Sequence, residues 1–218
     1  MPVTATNLNA AYSVEVMHPL RMKFSHVEIR HLLRAWIVLS LAFAILDNRG
    51  FSFTPAFLAA VAISAATVGV GFLLHELMHK YFAQKYGCRA EFRAFDFMLL
   101  IAFVMSFFGF IFAAPGGVFI QGNVNAARTG RISAAGPMTN VVLAAVFIGL
   151  KFVAESFYPS QLLLSIAAYG ASINAWLAVF NMLPFMGLDG SKVLFWNFKA
   201  YVAILVLSLA MMVLTFVV

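Results

Sequence analysis

The chain has 218 residues, of which 63% are hydrophobic and only 10% charged, with a mean hydropathy of +0.95. About a quarter of the residues in a soluble domain are charged, so this composition excludes a soluble globular fold and indicates an integral membrane protein. The net charge of +6 comes from basic residues scattered beside apolar runs, which argues against nucleic acid as a partner, and the single cysteine, Cys88, excludes an internal disulfide.

Residues Met1–Thr6 read as a disordered tail. The first thirty residues lack the basic, apolar, small-residue pattern of a cleaved signal peptide, so the first span is expected to stay as an anchor. Residues 1–30 are read as an N-terminal cytoplasmic or interfacial segment, with a short surface strand over Arg21–Ile29, and residues 31–218 as one membrane-embedded domain. Hydropathy predicts a first span over Leu33–Leu46, stopped by Asp47-Asn48-Arg49-Gly50, and a long second one from Pro55 to Tyr86-Gly87. Ile132–Phe157 and Gln161–Met182 follow as spans joined at Tyr158-Pro159-Ser160, and Asn197–Val218 is the last.

Phe97–Gln121 is apolar enough for a sixth crossing, but charge argues against one. If the segment enters and leaves on one side, all but two of the 14 Lys and Arg, Arg49 and Lys151, fall on the cytoplasmic face. A full crossing would move Arg128, Arg131, Lys192 and Lys199 outside. Its turn is expected at Gly109 or at Pro115-Gly116-Gly117, and the alternation around Cys88–Phe95 and Val118–Gln121 predicts strands. The expected fold class is an all-α polytopic membrane protein, with about five full transmembrane helices plus a membrane-embedded re-entrant or β-hairpin segment.

The chemistry is concentrated in HELMH, His75 to His79, inside the second span. Histidines four apart share a helix face and can bind one metal ion, while Glu76, about 100° round the helix, can serve as the general base of an H-E-x-x-H hydrolase without being a ligand. A carboxylate inside a span costs roughly 2.5–3.5 kcal/mol on insertion scales, which makes chance occurrence of the motif less favoured. Zinc needs a third protein ligand. His18, His26 and His31 precede the first span and are read as surface residues. Glu15, Glu28, Asp47, Glu91, Asp96 and Glu155 are read as solvated. Asp189 differs, because Asn181, Pro184, Gly187 and Gly190 predict an unwound helix end around it, on the same side as the histidines in the re-entrant topology. Asn140, an amide within an apolar span, is open to two readings: an oxyanion or substrate contact, or an interhelical hydrogen bond. Asn174 and Ser172 are read as packing contacts.

HELMH, AAGPMTN at Ala134–Asn140 and NMLPFMGLDG at Asn181–Gly190, in that order, resemble the site-two protease family of intramembrane zinc metalloproteases. The resemblance spans about Pro55 to Lys199, with Met78, Ser191 and Lys192 departing from the usual pattern. It implies Zn2+ held by His75, His79 and Asp189, with Glu76 as base, and aligns Asn140 with an asparagine that many members place near the metal. It also likens Pro115-Gly116-Gly117-Val118 to a glycine-bearing strand beside the site. The implied function is hydrolysis of a peptide bond in the transmembrane segment of a protein substrate, in the cell membrane, with the active site towards the cytoplasm. The alternative, a divalent-metal transporter or channel, uses the same three ligands but leaves Glu76 without a task. The expected partners are the substrate and the lipid bilayer; no signal specifies an oligomeric state.

Overall fold

In the computed structural model, residues 22–111, 115–157, 159–185 and 187–217 are described; Met1–Thr6, Glu15, His18, Arg21, Tyr158 and Val218 lie outside them. Ser25 starts the first helix, its Oγ accepting from the Glu28 backbone N–H at 3.1 Å. This corrects the strand expected over Arg21–Ile29. Ser25-x-x-Glu28 is an N-cap pattern, and α1 (His26–Asn48) begins there rather than at Leu33.

Thr54 caps the second span, with Pro55 in the first turn. The span comprises α2 (Pro55–Ser64), one π turn (Ala65–Gly69) and α3 (Val70–Lys85). A π turn inserts one extra residue and rotates everything after it by about 100° relative to an unbroken helix. The Trp36 indole of α1 donates to Ala65 O at 3.1 Å, bonding a carbonyl of this wider turn and tying it to its neighbour.

After α3 the chain forms β1 (Arg89–Ala94), the short helix α4 (Asp96–Ser106) and β2 (Gly116–Gln121). The strands pair antiparallel, with Arg89 opposite Gln121 and Ala94 opposite Gly116, so the segment between them leaves and returns at one depth. With 11 residues, α4 is roughly 16 Å long, about half of a bilayer's hydrocarbon core. The re-entrant expectation therefore holds. Gly109, at φ +86°, closes α4, whereas Gly116 and Gly117 belong to the strand.

The remaining elements are α5 (Ala126–Phe157), α6 (Gln161–Asn181), α7 (Asp189–Trp196) and α8 (Phe198–Val217). Among the described residues, five helices are long and apolar enough to cross a membrane: α1, the Pro55–Lys85 span, α5, α6 and α8. Because the sheet returns the chain to its starting side, α3 and α6 finish at the same end of the molecule. Leu32, Ala35 and Leu39 of α1 pack with Phe72 of α3, Phe92 of β1 and Leu99 of α4, fixing the sheet against the two helices.

Candidate metal centre

His75 and His79 lie one turn apart on α3, their rings 4.6 Å apart and nearly perpendicular. Both present Nε2 to the same oxygen, Asp189 Oδ2, at 3.2 Å from His75 and 3.0 Å from His79. One donor atom from each of the three residues lies within 4.8 Å of the others, and all three side chains are buried. Among the described residues this is the group of histidine and carboxylate donors that can enclose a metal ion.

Each imidazole is held from behind. His75 Nδ1 lies 2.6 Å from Asn140 Oδ1, and His79 Nδ1 lies 2.8 Å from Ile132 O. Since both partners are acceptors, Nδ1 carries the proton in each ring and Nε2 keeps its lone pair for a metal. Asn140 is in turn fixed, donating from Nδ2 to Asn174 Oδ1 at 3.0 Å and to Gly71 O at 3.3 Å. Both amide hydrogens are thereby used. Asn174, read from sequence as a packing contact, anchors this chain by donating to Gly170 O. Pro137 lacks the N–H that Ser133 O would accept, loosening the turn of α5 from which Ile132 O reaches His79.

Gly136 is a site residue that sequence reasoning quoted only as part of a motif. A Cβ there would stand 2.5 Å from both Nε2 atoms, so any side chain would fill the space on which the donors converge. Asp189 arrives from the unwound stretch between α6 and α7, where Gly187 takes φ +99°. Its Oδ2 is the oxygen on which both Nε2 atoms converge. Its other oxygen, Oδ1, sits 3.6 Å from Lys192 Nζ.

Glu76 is also buried, and its Oε2 has no hydrogen-bond partner among the described residues. It lines a cavity of about 720 Å³ together with His75, His79, Asn140, Asp189 and Lys192. Gly116, Val118 and Ile120 of β2 form one wall, and Trp176, Leu177 and Phe180 of α6 contribute to another. An unpaired buried carboxylate oxygen costs free energy unless something else fills its bonding capacity. The arrangement suits a metal on one side of the cavity, a base beside it and an extended ligand along β2.

The other predicted residues separate clearly. His26 is exposed, and His31 accepts from the Ala94 backbone N–H at 3.0 Å instead of approaching the cluster. Asp96 and Glu91 form outer ion pairs with Arg34 and Arg93. Glu28 departs from its solvated reading: it is fully buried, with Lys80 Nζ at 2.6 and 2.8 Å from its two oxygens.

Neither a protein-family model nor a solved structure matches the chain. A curated Methanocaldococcus jannaschii protein named "Putative zinc metalloprotease" is 42% identical over 177 residues, covering 80% of this chain and 87% of that one. On that identity and coverage, the chain belongs to the same family as this archaeal protein.

Proposed function

We infer that the protein is an intramembrane zinc metalloprotease of the site-two type, which hydrolyses a peptide bond within or near the transmembrane segment of another membrane protein. The observation that carries this reading is Glu76 Oε2, a buried carboxylate oxygen with no hydrogen-bond partner among the described residues, on a cavity shared with two imidazoles and a carboxylate. An ion path needs the three ligands. It does not need this fourth group.

The donor set fits zinc. Ligand bonds of 2.0–2.1 Å to nitrogen and oxygen in a tetrahedron place donor atoms roughly 3.3 Å apart, close to the 3.0 and 3.2 Å found between each Nε2 and Asp189 Oδ2. Gly136 leaves room for an ion there, and three protein ligands are the pattern of a catalytic site. Zinc held by His75, His79 and Asp189 would supply Lewis-acid polarisation of the scissile carbonyl and lower the pKa of water towards 7. Glu76 accepts the proton of the attacking water as its oxygen bonds to the carbonyl carbon. The same carboxyl then gives that proton to the amide nitrogen as the C–N bond breaks. Asn140 acts through His75, holding its tautomer and ring direction, because no amide hydrogen is left for an oxyanion.

A transmembrane helix hides its carbonyls in its own hydrogen bonds, so the substrate must be drawn out before it can be cut. Hydrogen-bonded partners in the sheet fall at odd residues, as Phe95 N–H to Pro115 O shows, so the backbone groups of Gly116, Val118 and Ile120 point away from β1. Those residues line the cavity, and their open edge can take an extended substrate strand. The basic-residue distribution supports a cytoplasm-facing site in the cell membrane.

The test uses protein purified into lipid vesicles with a transmembrane substrate. Cleavage should stop on chelation and return with zinc, and should run faster on a span carrying Gly-Pro than on its all-Leu counterpart. Chelator-insensitive cleavage, or metal flux without cleavage, would overturn the reading.

A further inference from the structure

The two outer edges of the small sheet are treated differently. On β1, Ala90 O accepts from Lys80 Nζ at 2.9 Å, Phe92 N–H donates to Glu28 Oε1 at 3.0 Å, and Ala94 N–H donates to His31 Nδ1 at 3.0 Å. Three alternate residues are thus engaged by side chains of α1 and α3. On β2, the corresponding groups of Gly116, Val118 and Ile120 have no such partner among the described residues. An exposed strand edge is a ready template for another chain, so closing one edge leaves a single place for strand addition.

The closure is costly. Glu28 is 0% and Lys80 1% exposed, and a buried ion pair recovers its desolvation penalty only with additional hydrogen bonds. Here those bonds go to β1. Lys80 directly follows His79, about 100° further round α3, so one helix turn carries a metal donor on one side and the sheet anchor on another. We propose that Glu28, Lys80 and His31 are positioning residues that fix β1, and through it the open edge of β2, at a set height beside His75, thereby selecting which substrate bond is cut. This rests on the protease reading for its consequence, but not for its mechanical part.

The experiment compares wild type with Glu28→Met/Lys80→Met, which removes both charges and leaves neither unpaired, and with the milder His31→Leu. Zinc content, hydrogen exchange of residues 89–94 and 116–121, and the cut position by mass spectrometry are read on each. In the double variant, exchange at Phe92 and at Gly117 and Phe119, which pair with Arg93 and Glu91 across the sheet, should rise tenfold or more while zinc stays at wild-type stoichiometry, and cleavage should spread to neighbouring bonds. His31→Leu should do the same more weakly, at Ala94. Unchanged strand exchange in both folded variants, or loosened strands with the wild-type cut position retained, would overturn the proposal. If wild type cut nothing, the protease reading would fail, while exchange would still decide whether the anchor holds the sheet.

Discussion

Two buried ionic clusters sit back to back on α3, and they differ in one respect. Around Lys80, both Glu28 oxygens and the ammonium are bonded, and neither residue lines the cavity. Around His79, three donor atoms converge on each other beside a carboxylate oxygen with no partner, facing a cavity of about 720 Å³. Inside a membrane protein both clusters are expensive. The satisfied one is scaffolding, and the unsatisfied one leaves bonding capacity for something else. What distinguishes chemistry from architecture here is the account of hydrogen bonds, rather than burial or residue type.

The largest expected effect that sharpens this contrast is Asp189→Ala. It removes the oxygen shared by both Nε2 atoms, and purified protein should lose zinc and all measurable cleavage. Full zinc stoichiometry in this variant would remove Asp189 from the ligand set. Gly136→Ala comes next, because its methyl would stand 2.5 Å from both Nε2 atoms. Metal analysis should show zinc loss even though no ligand has changed, and normal zinc would mean that the donors converge elsewhere.

Asn140→Ala should act less severely, since it leaves all three ligands but frees His75 to turn. Metal affinity should fall about 10–100-fold by competition with a chelator, with cleavage recovering at high zinc. Persistent loss of turnover at saturating zinc would instead give Asn140 a direct part in the reaction. The smallest effect is expected at Trp36→Phe, which deletes the indole bond to Ala65 O in the π turn. Thermal or denaturant unfolding should show a loss of about 1 kcal/mol, with zinc unchanged.

The two clusters were also unequally legible in the sequence. HELMH declares itself locally, because helical periodicity alone puts His75 and His79 on one face. Asp189 could be singled out by the helix-breaking residues around it, and positive-inside charge favoured the topology that joins it to the histidines. The Glu28–Lys80 pair has no local signature. It joins residues 52 positions apart, and whether Glu28 is solvated depends on how α1 meets the sheet. Its one nearby signal, Ser25-x-x-Glu28, marks a helix start that the alternation of Arg21–Ile29 obscured. The π turn is silent for a related reason: Ala65–Gly69 lies within an apolar run, and the Trp36 indole that bonds it comes from 29 positions away. Gly136 was visible in a motif, but its purpose required seeing what a Cβ would strike.

In the proposed mechanism the unbonded oxygen of Glu76 serves chemistry and not metal retention. The direct measurement is zinc content and cleavage rate on the same preparations of wild type and Glu76→Gln, with a single transmembrane substrate. Equal zinc is expected in both, with cleavage about 10²–10⁴-fold lower in the variant, the range for removal of a general acid–base group. Equal turnover, or loss of zinc along with activity, would contradict it.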